Sequence, residues 1–440
     1  MTKHYPKVLI IGHVFHNRSG SGITLTNLFK EWPCENLAVA VNTDLEKDSI
    51  NIKLCKNYYF LGNKEIKVLF PFNLIYKIGE SNEINFFDQS YELKDNDKLT
   101  QRRYLFLKSL TKTLLKDTGL NSIRFSYSLS DKFEAWIRHF NPDIIYSAVG
   151  DLDLIFLLLK IKNKLNFKIA IHIWDDWPHT LFKKTYFPKL WSKIFYKSFS
   201  KLVRVSDIRL SISEYMAADY SKKYYYEFIP FHNPVNFDEW LDTSNEKHDQ
   251  NCKKVFYFGK INDDTIKSLK LMAAVVEEIN LHDKINIYFH ILSRERDKYK
   301  KQFNIYKNVI FDEPVEYSFI PSTIKNADVL FLPLDFSSQS IEYTRLSIPT
   351  KLTEYMISGI PALVLAHPSI ALNKFTKKNE WALLVESFDK NELKDWLLIL
   401  LYDQKLRNKL TSIAQNVVRT EFNGTQIREN FRKILTIAND

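Results

Sequence analysis

Four short stretches carry side chains able to do chemistry. In "SIPTKLTEYMISGIPALV" (347–364), Lys351 and Glu354 are three residues apart, which puts them on one face of a helix. Pro349 suits a first helical turn, Gly359 suits a helix end, and Pro361 opens the next strand. A lysine beside Thr350 at the positive end of that helix can hold a phosphate. A glutamate one turn further on can accept two hydrogen bonds, as the vicinal hydroxyls of a ribose would offer. The competing reading is a solvated surface pair.

In "VFYFGKINDDTIKSLK" (255–270) a strand meets Gly259 and then Lys260, just ahead of a helix. A lysine there suits a diphosphate. Lys267 and Lys270 are second candidates, or plain solvated helix residues. "IHIWDDWPH" (171–179) runs a strand out into Asp175, Asp176, Trp177 and His179. Carboxylates at the carboxyl end of a strand lie where open α/β sheets bind ligands, and they accept hydrogen bonds from sugar hydroxyls. The tryptophans offer faces for a sugar or an apolar acceptor. The plainer alternative for an aspartate here is a helix N-cap. His172, inside the strand, reads as a satisfied core histidine. Last, "GHVFHNRSGSGITLTNLF" (12–29) places Gly20 and Gly22 ahead of a helix expected to begin near Ile23. Glycines let a backbone approach a ligand, and a free helix N-terminus attracts phosphate. The third glycine of a dinucleotide fingerprint is missing and the loop is long, so this stretch taken alone reads better as a plain connection.

The elements that must position these residues alternate along the chain. "KVLIIG", "LAVAVN", "IKVLFPF", "PDIIYSAV", "FKIAIHIW" and the start of "LVRVSDIRLSISEYM" read as strands, with helices near 100–116 and 129–140. The pattern restarts with "KKVFYFG", "KINIYFHIL", "NVIFDEPV", "ADVLFLPL", "PALVLA" and "WALLVE". Apolar strands alternating with helices mean parallel sheets covered on both faces. The expected class is α/β: two Rossmann-like, doubly wound domains, 1–236 and 253–415, facing a cleft. A polar linker over 237–252 joins them, and a C-terminal helical segment over 416–440 packs back on the first domain.

The 440 residues are 45% apolar and 26% charged, with a net charge of +10 and a pI near 9.1. The composition is that of a globular protein, and the charge favours anionic partners, whether nucleotides, phospholipid surfaces or nucleic acid. No stretch reaches about 18 uninterrupted apolar residues, so no transmembrane helix is expected. Cys34, Cys55 and Cys252 have no metal-ligand or disulfide spacing and read as free thiols of a reducing compartment. The N-terminal apolar run is too short for a signal peptide, which points to a cytoplasmic protein. Between 181 and 204 seven residues are Lys or Arg and none is acidic, interleaved with aromatics. That composition fits an interfacial helix on an anionic membrane, and equally a helix packing its aromatic face on the core.

In the order of these elements, "NPDIIY", "LSISEYM", "FHNPVNFDEW", "VFYFGK", "ADVLFLPL" and "PTKLTEYMISGIPALV", the chain resembles GT-B glycosyltransferases of family 4 over nearly its whole length. The resemblance implies sugar transfer from a nucleotide-diphosphate sugar to a hydroxyl. It gives Glu354 the ribose, Gly259 and Lys260 the donor diphosphate, and Gly20 and Gly22 a covering loop. Asp175 falls near a sugar-contacting position, and Ser213 and Asn233 match crossover positions. The first glutamate of the family's Glu-x7-Glu pair would fall at Leu346. Here the chain instead resembles the S-x-P-x-K-x-x-E-Y variant, with Ser347, Pro349 and Lys351 in place. Carried over from the family, the reaction is retaining and metal-independent, with no cofactor beyond the sugar nucleotide. Asp175, Lys260 and Lys351 are then the expected catalytic residues, and bacterial surface polysaccharide assembly is the expected setting. A nucleotide-sugar 2-epimerase of the same fold and a DNA-modifying role are the rival readings. Scattered rather than striped basic residues rank nucleic acid last as a partner.

Overall fold

The structure, a computed structural model, describes residues 4–16, 20–42, 50–69, 73, 78–84, 125–181, 183, 185–235, 237, 240 and 252–437. The helix expected near 100–116, the end of "IKVLFPF" and most of the 237–252 linker lie outside the described residues. Two compact units emerge. The first comprises Met1–Phe231 with Arg428–Asp440, and the second His232–Ile427.

The first unit is built on an eight-stranded sheet. Its strands are β1 (Val8–Ile11), β2 (Leu37–Val41), β3 (Asn57–Phe60), β5 (Asn82–Ile84), β7 (Ile144–Ala148), β8 (Lys168–Ile173), β9 (Ile208–Ser211) and β10 (Ile229–Pro230). They lie in the order β10-β9-β8-β7-β1-β2-β3-β5, and all neighbours are parallel except the edge pair β3–β5. β4 (Ile66–Val68) and β6 (Phe125–Tyr127) form a separate antiparallel pair. The runs "VLII" and "LAVAV" are buried at every position, which is why they read as continuous apolar stretches rather than alternating ones. Helices between the strands start on side-chain caps: Ser130 accepts from the Phe133 N–H, Asp151 from Leu154 and Ser213 from Met216. The helix Gly424–Ile437 contributes its final turns to this unit. Phe431 packs edge-on against Phe29 at 5.1 Å, and Arg428 pairs with Glu31 at 2.7 Å.

The second unit has a six-stranded, wholly parallel sheet: β11 (Lys253–Phe258), β12 (Ile287–Leu292), β13 (Val309–Asp312), β14 (Val329–Pro333), β15 (Ala362–Leu365) and β16 (Leu383–Val385). Its order, β13-β12-β11-β14-β15-β16, runs out from β11 in both directions. Such a sheet opens a crevice at the carboxyl ends of the two strands where the order reverses, here β11 and β14. Gly259 follows β11 directly. The segment bearing Lys351 and Glu354 connects β14 to β15. Among the described residues no helix is long and apolar enough to cross a membrane.

Candidate functional site

The segment after β14 does not form the helix expected from Pro349. A turn spans Pro349 to Lys351, with the Leu352 N–H bonded to the Pro349 carbonyl, and the helix proper is Leu352–Ile357. Every residue of that helix is buried. Tyr355 pins it: its ring stacks on Phe258 at 4.5 Å, and its hydroxyl donates to the Phe331 carbonyl and accepts from the Phe258 N–H. The helix is thereby tied to β11 and β14 at once. Gly359, at φ +73, ends it in the left-handed conformation that glycine adopts without strain.

Burial removes the surface-pair reading. Glu354 is 4% exposed, and its Oε1 accepts a 2.6 Å hydrogen bond from the Tyr317 hydroxyl. Burial raises its pKa to about 7, against the opposing pull of Tyr317 and Lys351. Lys351, partly exposed, has its pKa lowered to about 7 by desolvation, with Glu354 resisting the shift. Its ammonium lies 3.9 Å from the Tyr257 ring centroid and against the backbone of Gly259. A Cβ at Gly259 would stand 2.8 Å from Lys351 Nζ, and Gly259 holds φ +140. The backbone angle therefore requires glycine there, and a side chain would in addition displace the Lys351 ammonium. Gly259 and Lys351, 92 positions apart by residue number, thus lie side by side. The Tyr257 hydroxyl donates to the Lys260 carbonyl at 2.6 Å. Lys260 itself is exposed. Ser347 is buried with no hydrogen-bond partner for its hydroxyl among the described residues, and the Thr350 carbonyl accepts from Asn233 at 3.5 Å.

One expected phosphate donor is spent elsewhere. The helix Ile266–Glu278, which follows Lys260, already has an anion at its N-terminus. Asp335, 1% exposed, accepts from the Lys267 and Ser268 N–H groups at 3.1 and 2.7 Å and from the Ser268 hydroxyl. A buried carboxylate there satisfies the orphan donors and the helix dipole. Lys267 thus contributes its backbone to this cap, and the Lys270 ammonium bonds Gln302 on the surface.

In the first unit the candidates divide. Asp175 lies past the end of β8 and is partly exposed. Asp176 is fully buried and accepts from the Tyr220 hydroxyl at 2.9 Å, so it holds the core together rather than facing an acceptor. Trp177 is buried too, edge-on to Phe195 at 4.9 Å and Phe199 at 5.9 Å, and offers no face to a sugar. The side chain of His179 lies outside the described residues. His172 bonds Tyr146 inside the sheet at 2.7 Å, as a core histidine should. The helix after β1 begins at Gly20, not near Ile23. A Cβ on Gly22 would strike the His16 ring at 2.3–2.5 Å. The glycine is there to admit that imidazole, and the close approach assigned to a ligand is taken by His16. Sequence reasoning missed Tyr317, Tyr257 and Asp335. It also missed His13, which stacks on Trp174 at 5.0 Å. Of these only Tyr257 had a signal, its place two residues before Gly259.

Residues 252–403 match the family Glycosyl transferases group 1. Residues 252–403 thus form a glycosyltransferase group 1 domain. That domain lies wholly within the second unit and contains Gly259, Lys260, Lys351 and Glu354. The fold of the glycosyltransferase is GT-B. Solved structures similar to it include HepE from Anabaena, determined with UDP and glucose, at TM-score 0.60 and 10% identity over 98% of this chain and 100% of that one. Sucrose-phosphate synthase from Thermosynechococcus elongatus matches at TM-score 0.61 and 12% identity over 98% of both chains. WaaG, a glycosyltransferase involved in lipopolysaccharide biosynthesis, matches at TM-score 0.56 and 11% identity over 98% of this chain and 99% of that one. No curated relative matches the sequence.

Proposed function

We propose that this glycosyltransferase moves a sugar from a nucleoside-diphosphate sugar to a hydroxyl of a glycan or lipid-linked saccharide, with retention of configuration and without a metal or other cofactor. One observation carries the reading: the Lys351 ammonium rests against Gly259 at the carboxyl end of β11, one helical turn from the buried carboxylate of Glu354. A cation over bare backbone fits a diphosphate, and an acceptor-only carboxylate one turn away fits the ribose attached to it.

In this reading Lys351 and the exposed Lys260 stabilise the charge that builds on the leaving diphosphate. Gly259 lets the Lys351 ammonium stand at the carboxyl end of β11, where it would meet the phosphate. The Ser347 hydroxyl and Thr350 lie in the same segment and complete the donor contacts. Retention follows if the acceptor attacks from the face the diphosphate leaves, with a leaving phosphate oxygen taking the acceptor proton. Asp175 then orients the transferred sugar and forms no covalent intermediate.

Acceptor recognition falls to the first unit. Its helix Pro188–Val205 buries Trp191, Phe195 and Phe199 and exposes Leu190, Ile194 and Tyr196. Lys189, Lys193, Lys197 and Lys201 are exposed among them, and Tyr186 and Phe187 are exposed just before the helix. The core-packing reading accounts for one face of this segment, and the membrane reading rests on the other. An apolar, lysine-rich outer face supports peripheral attachment to an anionic membrane and a lipid-borne acceptor. Surface polysaccharide assembly on the cytoplasmic face of a bacterial membrane is the setting that joins these features.

Calorimetry with UDP, GDP, ADP, CMP and dTDP tests the donor site. One nucleoside diphosphate should bind the wild type, and Glu354→Ala should weaken it at least about 10-fold, the worth of a charged hydrogen bond. Binding indifferent to Glu354, or no binding by any of the five, would refute the assignment.

A further inference from the structure

Glu354 is not alone in its pocket. Tyr317 opens a short turn, Tyr317–Phe319, in the connection between β13 and β14. Its hydroxyl donates to Glu354 Oε1 at 2.6 Å, across 37 residues of sequence. That is the length of a charge-assisted bond to a carboxylate. A carboxylate has about four lone-pair positions. One taken by Tyr317 leaves Oε2 and the second lone pair of Oε1, enough for two vicinal hydroxyls.

The donation matters because of what surrounds the carboxylate. The titratable groups facing Glu354 are Lys351 on the preceding turn, Tyr355 on its own helix and Tyr317 from the β13–β14 connection. Burial pushes Glu354 toward its neutral form, and a neutral carboxyl is a donor with reduced accepting capacity. Tyr317 and Lys351 pull the other way. Only Tyr317 does so through a directional bond, and that bond also sets which way the carboxylate plane faces.

Resting on the donor-site reading above, we propose that Tyr317 is a positioning residue for the donor ribose. By holding Oε1 of Glu354, it orients the carboxylate as an acceptor for the 2′- and 3′-hydroxyls, and so confers preference for ribonucleotides over their dideoxy counterparts.

The test uses the full chain, wild type and Tyr317→Phe, titrated with UDP, GDP and ADP and with the 2′,3′-dideoxy form of each. Phenylalanine keeps the ring and removes only the hydroxyl. For the nucleotide that binds, the ribo-over-dideoxy affinity ratio should fall at least about 5-fold in Tyr317→Phe, the effect of one lost hydrogen bond. Affinity for the dideoxy form should stay within about 2-fold, because it never reaches Glu354. The pH below which the ribo preference disappears should also move upward, since Tyr317 favours the ionised carboxylate. Equal losses for the ribo and dideoxy forms, or an unchanged ratio, would overturn the inference while leaving the donor site standing. Binding of none of these nucleotides to wild type would overturn both.

Discussion

Lys351 and Glu354 both titrate near pH 7, from opposite directions, and this makes nucleotide affinity depend on pH in a calculable way. The binding form has the lysine charged and the glutamate ionised. Lys351 loses its proton as pH rises through about 7, and Glu354 loses its own over the same range. Treated as independent, the form with both charges is about one quarter of the molecules at pH 7 and about 1% at pH 9. The terminal phosphate of a nucleoside diphosphate, whose second pKa is about 6, only gains charge toward pH 9, which would strengthen binding, so a fall belongs to the protein. Affinity should therefore fall by roughly an order of magnitude between pH 7 and pH 9. Binding at pH 8 should also take up close to one proton, because the diphosphate recharges Lys351. Lys351→Met keeps much of the packing against Tyr257 and Gly259 and removes the titration. Its affinity should lie well below wild type at pH 7 and rise rather than fall toward pH 9, as Glu354 alone ionises, so that the two curves converge. Calorimetry at pH 7, 8 and 9, in buffers of different ionisation enthalpy, reads both the affinity and the proton. The same slope in Lys351→Met, or equal affinity of the two proteins at pH 7, would mean that the ammonium beside Gly259 does not hold the diphosphate.

Asp335→Ala should destabilise the second unit without touching the anion site. It leaves the Lys267 and Ser268 N–H groups and the Ser268 hydroxyl without their acceptor, a loss of about 2–3 kcal/mol that should lower the Tm by about 5–10 °C; an unchanged melting curve would contradict the capping role. Replacing Lys189, Lys193 and Lys197 together by Glu should abolish co-sedimentation with vesicles rich in anionic lipid. Each lysine near such a surface contributes about 1 kcal/mol, so retention of binding by the triple variant would remove the membrane from the proposal.

The fold class was legible because its signal is local. Each buried parallel strand, such as "VLII" or "KKVFYF", is a short apolar run whose neighbours in sequence are helices, and the alternation needs no knowledge of what pairs with what. The Gly259, Lys351 and Glu354 set was legible for a related reason: a glycine after a strand and a lysine and glutamate three apart are local patterns with a chemical meaning. Helix boundaries were less so. The turn from Pro349 to Lys351 and the early start at Gly20 reflect packing that local preference does not encode.

The sequence by itself determined that two parallel α/β units exist and which polar residues terminate their strands. Only the tertiary structure decided what each of those residues does. Asp175 and Asp176 are chemically identical neighbours, yet one stays partly exposed and the other is buried on Tyr220. Gly22 and Gly259 look alike in sequence, yet one accommodates the His16 ring and the other the Lys351 ammonium. Tyr317 reaches Glu354 across 37 residues, and Asp335 reaches Ser268 across 67. The physical reason is the same in each case. Burial and hydrogen-bond partners are set by contacts between distant segments, and the desolvation that moves a pKa or removes a side chain from solvent exists only once those segments have met.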